Sequence, residues 1–226
     1  VDTLDTAFNL DVKGFKQRSV SSPNNEIIIK GPQEAFVESI RVNTSMLRRA
    51  TNTENLVIEN VLVGKLSKTP CAICYLKNIA NSDLVAEVRY RLNNLEIDTL
   101  LSTGQLEQLI CEDNKYNIPQ VLSTERPDKA AKNLYAGRVV ILVNGNPYCI
   151  ILPATIVDFI SSPEDTNLKP IFANFLKILR FLAMGITLLL PSIYIAIVDF
   201  HQELLPTELL FSLWAVSYTH LTLPTT

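Results

Sequence analysis

Cys71-Ala72-Ile73-Cys74 has the spacing used by redox dithiols and by half of a zinc site. Either chemistry needs both sulfurs on one side of the backbone, as thiolates. Here the pair lies inside a strand-like apolar run, "PCAICYL", where residues three apart point to opposite faces. No second C-x-x-C exists, and Cys111 and Cys149 stand alone. All four are expected to be reduced thiols rather than a disulfide framework. The adjacent carboxylates Glu112-Asp113 and Glu164-Asp165 could do acid–base work if a cleft held them. The first pair is expected to end a helix in water, the second to favour a helix start through its dipole. The two histidines are His201 and His220, so residues 1–170 carry no imidazole. That removes Ser-His and Cys-His nucleophiles and His-ligated metals from this region. Neither G-x-G-x-x-G nor G-x-x-x-x-G-K-[ST] occurs, so no phosphate cradle is evident. No catalytic, cofactor-binding or metal-ligating residue is assigned.

Glu125-Arg126-Pro127-Asp128 is the more informative cluster. Pro127 holds the chain extended before a helix, and Asp128 suits that helix's first turn. Glu125 and Arg126 could pair and make a rigid turn, or the loop could form a domain or ligand contact. Arg41, Arg48 and Arg49 read as a solvated face or as a contact for an anionic partner.

The elements that must position these residues alternate between two periods. Gly31-Pro32 is expected to open a helix, with Glu34 in its first turn and Phe36, Ile40, Asn43 and Leu47 on one face. "LVIENVLVG" and "PCAICYL" read as strands joined by a polar turn. "NSDLVAEVRYRLNNL" is an amphipathic helix capped by Ser82 or Asp83. "STGQLEQLICED" and "DKAAKNLYAG" are further helices, the latter closed by Gly137. "RVVILV-NGN-PYCIILP" is the clearest hairpin, because Asn-Gly favours a tight turn. "EIIIK" reads as a short strand, and Ser162-Pro163-Glu164-Asp165 as a capped helix start. The fold class expected is α/β (α+β), a mixed-sheet soluble domain followed by a transmembrane α-helix.

The chain has 226 residues and a net charge of −3, which gives no sign of a nucleic-acid surface. Its charges are unevenly placed: 18 of 20 basic and 20 of 23 acidic residues precede residue 171. From Phe181 to Val198 there is no charge, a length of roughly 27 Å as a helix, close to a bilayer's hydrocarbon core. Pro191 inside this run is tolerated better in membrane helices than in water-soluble ones. Lys169, Lys177 and Arg180 precede the run, and Asp199, Glu203 and Glu208 follow it. That asymmetry places the N-terminal side in the cytosol.

The order of motifs is that of a known family. "GPQEAFVESIRVNTSMLRR", "ANSDLVAEVRYRLNNLEID", "TERPD", "GRVVILVNGNPYCIILPAT", "SPED" and "LPSIYIAIVDFHQELLPTELL" together resemble the A subunit of GerA-type spore germination receptors, from about residue 10 to Trp214. Gly31, Pro32, Glu34 and Phe36 match its Gly-Pro-x-Glu-x-Phe element, and Asn43, Thr44, Arg48 and Arg49 the polar stretch after it. Glu125, Arg126, Pro127 and Asp128 match its loop signature, and Ser162, Pro163, Glu164 and Asp165 the element before the membrane. Two departures are Thr166-Asn167 in place of an aromatic pair and "NKYNIPQ" in place of a Pro- and Phe-rich loop. The resemblance implies a cytosolic region of two α/β subdomains followed by several membrane helices, in the spore's inner membrane. It implies a transporter-like B subunit, a lipoprotein C subunit and further copies of the A subunit as partners. It also implies a small-molecule nutrient bound by the complex and ion release as the response.

On that template, residues 1–30 end a first subdomain, 31–51 form a connecting helix and 52–160 a second subdomain. Residues 161–180 form a juxtamembrane helix, 181–198 the transmembrane helix, and 199–215 the start of a next membrane or re-entrant segment. The ending "VSYTHLTLPTT" looks like translated sequencing-adapter DNA, so 216–226 are set apart as non-native and the rest is expected to be a piece of a longer chain. The alternative reading is a membrane-tethered scaffold or enzyme domain of unknown reaction.

Overall fold

The computed structural model describes residues 19–28, 31–111 and 119–200, and divides the chain into two compact units that meet at Asn167 and Leu168. In the first, β1 (Leu56–Val63) and β2 (Thr69–Leu76) pair antiparallel, from Leu56 opposite Leu76 to Val63 opposite Thr69. Gly64 makes the turn between them possible. Its φ is +95°, and an added Cβ would lie 2.6 Å from the Ser67 hydroxyl oxygen. β4 (Val139–Val143) and β5 (Cys149–Leu152) form the hairpin that Asn144-Gly145 announces. β3 (Leu122–Thr124) adds to the far side of β5, a strand inside what reads as loop in sequence. The order is β1-β2-β4-β5-β3, and every pairing is antiparallel.

Helices cover both faces of this sheet. α1 (Ile40–Thr51) and α4 (Pro127–Tyr135) lie on one, where Phe36, Met46, Leu47, Ala130 and Leu134 pack on Cys74, Val140, Leu142 and Ile151. α2 (Ser82–Asn93) and α3 (Thr103–Ile110) lie on the other, with Val85, Val88, Leu92, Leu106 and Ile110 against Cys71, Ile73, Val139, Ile141 and Ile150. Burial on both faces explains why β4 reads Val-Val-Ile-Leu-Val without a polar alternation: all five residues are buried.

Three local expectations change. The helix expected from Pro32 begins at Ile40, and residues 31–37 have no helical turn. Their amides are already committed: Ala35 N–H donates to Ser21 O (3.0 Å), Phe36 N–H to Glu125 O (2.8 Å) and Val37 N–H to Asn43 Oδ1 (2.8 Å). A helix there would have to break all three. α1 therefore starts later than the expected connecting helix, and it is a layer of the sandwich. The cap of α2 is Asn81, whose Oδ1 accepts from Asp83 N–H at 2.9 Å, rather than Ser82 or Asp83. Residues 26–28 of "EIIIK" form no strand.

α5 (Ile156–Ile160) carries a capping box between Thr155 and Asp158, and a single 3-10 turn, Pro163–Thr166, carries another between Ser162 and Asp165. The second unit contains α6, Pro170–Phe200, one continuous helix of 31 residues, roughly 46 Å long. Pro170 starts this helix, as its fixed φ allows. α6 runs unbroken through the expected boundary at residue 181 and past Pro191. It is long and apolar enough to cross a membrane between Pro170 and Val198. No residue of its most apolar stretch is buried.

Candidate functional site

Glu125 and Arg126 sit where β3 turns into α4. Arg126 is the N-cap, held extended (φ −101°, ψ 121°) before Pro127 at the first helical position. Both side chains are buried, Arg126 completely at 0% exposure. They do not pair with each other. The Glu125 carboxylate accepts from the amides of Asn25 (2.6 Å) and Glu26 (3.1 Å). The Arg126 guanidinium donates to Glu26 O (3.1 Å), Pro32 O (2.8 Å) and Asp128 Oδ2 (2.8 Å). A buried cation is tolerable only when so neutralised and bonded. Sequence reasoning put the ion pair at 125–126; the structure puts it at 126–128, and turns the rest of the cluster on the incoming chain.

That incoming chain is residues 19–28 and 31–39. Glu26 anchors it further, accepting from Lys129 Nζ at 2.5 Å and from the Thr124 hydroxyl. Gly31, at φ +138°, holds a conformation that residues with a side chain rarely adopt, and a Cβ there would push on the side-chain tips of Ile28 (Cδ1, 2.6 Å) and Asn167 (Nδ2, 2.8 Å). Phe36 is fully buried. Asn43 is buried too, and closes a two-way bond with Val37, donating from Nδ2 to Val37 O at 2.5 Å. Glu34 pairs with Arg49 at the surface, while Thr44 bonds back to Arg41 O and Arg48 is exposed. A groove of about 620 Å³ lies between α1 and α4, lined by Pro32, Glu34, Arg49, Pro127, Asp128 and Tyr135 among others.

The structure thus gathers three motif segments that are distant in sequence. Gly31 to Phe36 is gripped by Glu125 to Asp128 and approached by Asn167, just after the Ser162–Asp165 turn. Within that turn Ser162 accepts from Glu164 N–H (3.4 Å), Ser162 N–H donates to Asp165 (3.0 Å), and Pro163 takes the first position. Arg48 and Thr44 stand apart from this cluster. The residues that sequence reasoning missed are Asn25, Glu26 and Lys129. Their partners lie about a hundred positions away, and no local pattern marks them.

Other candidate chemistry is dispersed. Cys71 and Cys74 face opposite helical layers, and burial pushes both thiols up to about 12. Glu112-Asp113 lies outside the described residues. Arg138 donates to Asp158 Oδ2 at 2.7 Å. Burial opposes ionisation of Asp158, but bonds from the Thr155 hydroxyl, Arg138 and the Thr155 amide outweigh it and hold the carboxyl below its ordinary value. Arg89, through two hydrogen bonds of 2.8 and 2.9 Å, lowers Glu59 against the opposing effect of burial, with help from the Tyr75 hydroxyl.

The sandwich is an antiparallel five-stranded sheet between two helical layers, followed in the chain by a helix long and apolar enough to cross a membrane, and its buried arginine grips its own backbone. Over residues 1–225 the sequence matches the family model described as "Bacillus/Clostridium GerA spore germination protein", and the chain belongs to that family. It is similar to "Spore germination protein B1" of Bacillus subtilis (strain 168), 43% identical over 204 residues, 90% of this chain and 42% of the relative. Against "Spore germination protein A1" of the same organism, identity is 40% over 210 residues, 92% of this chain and 43% of the relative. The chain therefore spans less than half the length of these curated relatives. Among solved structures it is similar to the N-terminal domain of the A subunit of the Bacillus megaterium spore germinant receptor GerK3. Identity there is 42% over 54% of this chain and 97% of that one, with a TM-score of 0.45.

Proposed function

We propose that the whole protein is a membrane-embedded A subunit of a germinant receptor, anchored in the spore's inner membrane by α6 and further spans. Residues 1–30 end a first cytosolic subdomain in this reading, and the sandwich is the second. The subunit works with B and C subunits and further A copies. A nutrient bound by the complex shifts the population of its arrangements, and ions are released. It acts without catalysis of its own. The flanking charges support the orientation, with Lys169, Lys177 and Arg180 on the cytosolic side.

One observation carries the reading. The strap of residues 19–28 and 31–39 is held by the Glu125–Asp128 cluster, and Asn167, just after the turn of residues 163–166, approaches the same strap at Gly31. A shift of the upstream region would be felt at the element leading into α6. The Glu34–Arg49 pair tests this, because both residues are exposed and neither is needed for the core. Glu34→Arg and Arg49→Glu are each expected to slow nutrient-triggered germination at least about fivefold at unchanged receptor abundance. The double reversal is expected to restore it. Normal germination in both single variants would contradict a coupling role for the strap.

A further inference from the structure

β1 and β3 are the two edges of the sheet. β3 has three residues; β1 has eight, paired with β2 without a bulge from Leu56 to Val63. Lys77 N–H donates to Asn55 O at 3.0 Å, and this fixes the phase of the β1–β2 ladder. Val57, Glu59, Val61 and Val63 turn their N–H and C=O groups to β2, while Leu56, Ile58, Asn60 and Leu62 turn theirs outward. Among the described residues, no hydrogen bond reaches those outward groups. Long edges are ordinarily blunted by lysine, proline or a bulge, and β1 has none of these. Its one charge, Glu59, is turned onto the α2 face and held there by the Tyr75 hydroxyl (2.6 Å) and Arg89 (2.8 and 2.9 Å). On the opposite face Leu62 is 64% exposed, two positions from half-buried Ile58.

We propose that the β1 edge pairs antiparallel with the β1 edge of a second copy of this chain, about a two-fold axis at Asn60. This rests on the reading that further copies of the A subunit assemble with this one. Two features favour a second copy as the occupant. The first is charge: Glu54 precedes the strand and Lys65 follows it, so antiparallel pairing of like strands brings Glu54 of each copy to the end that carries Lys65 of the other. Lys65 is available for this, because its own partner Glu96 is 3.8 Å away and both are well exposed. The second is self-complementarity. With Asn60 opposite Asn60, outward backbone groups meet outward groups, and Ile58 of each copy lies opposite Leu62 of the other, covering the exposed leucine twice. An axis at Glu59 would instead set two carboxylates directly opposite each other, which is unfavourable. The two sheets would then run on as one through the axis.

The test uses the full-length protein in the membranes of cells that make it, with Cys111 and every other accessible cysteine replaced by Ser. Cys71, Cys74 and Cys149 are buried. Single cysteines are placed at residues 58, 59, 60 or 62, and disulfide formation is driven by copper phenanthroline. The axis puts the two residues 60 about 5.5 Å apart between Cα atoms, within disulfide reach, and the two residues 58 about 14 Å apart. Asn60→Cys is expected to give at least about tenfold more dimer than Ile58→Cys or Leu62→Cys alone, while co-expressed Ile58→Cys and Leu62→Cys copies link to each other. Adding Leu62→Lys to Asn60→Cys is expected to cut the dimer at least about fivefold with the protease resistance of the sandwich unchanged. Asn60→Cys no better than Ile58→Cys, or exceeded by Glu59→Cys, overturns this pairing. So does a disulfide from residue 60 to a different protein. Differently tagged copies are co-purified from the same membranes. Copies that co-purify without a residue-60 dimer overturn the edge and leave the assembly reading intact; copies that neither co-purify nor link overturn both.

Discussion

β4 and the middle of α6 are both runs of aliphatic residues, and they end in opposite situations. Val139 to Val143 are buried to the last residue, whereas Leu188, Leu189 and Leu190 are 69%, 60% and 58% exposed. In the sandwich, each methyl group finds a protein neighbour from α1, α4, α2 or α3. α6 offers similar chemistry to its surroundings over the 18 uncharged residues from Phe181 to Val198. Composition alone does not tell the two apart. The difference is carried by length and by what flanks the run: five residues with turns at each end can be covered by helices, while 18 without a charge exceed what a small domain can bury.

That contrast can be broken by truncation. Ile141→Ala in β4 removes a fully buried side chain from between two layers and is expected to cost about 2–5 kcal/mol. Arg126→Ala leaves Asp128 and two carbonyls without their donor, at a cost of about 3–5 kcal/mol. On the proposal that lipid surrounds α6, Leu188→Ala loses only lipid contact and is expected to change stability by less than about 0.5 kcal/mol. Pulse proteolysis of the intact protein in bilayers reads all three. Equal costs at 141 and 188 would mean that α6 packs into protein.

How much of this was legible in the sequence differs between the two regions for the same reason. α6 was readable from a single property of a contiguous segment. The hairpin around Asn144-Gly145 and the helix of residues 82–93 were readable too, because their signals are local. The start of α1 was not. Gly-Pro followed by Glu is a good helix opening in isolation, but the amides of Ala35, Phe36 and Val37 serve partners at Ser21, Glu125 and Asn43. The candidate site was half legible. The Glu125–Asp128 cluster stood out by its residue types, while its targets, the backbone at Asn25, Glu26, Pro32 and Phe36, are joined to it only by long-range contacts. The sheet order, with β3 at an edge next to β5, has no local signature at all.

A smaller effect sharpens the comparison from the side of charge, since the sandwich holds titrating pairs and the uncharged run of α6 holds none. Glu59 and Asp158 have native values below their ordinary 4.5 and 3.8. The stabilisation is therefore complete above those ordinary values and is lost as pH falls through the lower native ones. Protection factors of the sandwich's amides, corrected for the intrinsic exchange rate at each pH, are expected to fall below about pH 4, and less so in Glu59→Gln, with protection of α6 unchanged. Matching acid sensitivity in α6 would tie it to the sandwich's own stability.

The central claim is that lipid surrounds α6 and that the sandwich lies on the cytosolic side. The complete natural chain, expressed in cells that are then converted to protoplasts, tests it in one preparation. Membranes washed with alkaline carbonate are expected to retain the protein, and protease added outside is expected to leave residues 19–167 intact until the membrane is permeabilised. Release by carbonate, or digestion of the sandwich in sealed protoplasts, would contradict the account.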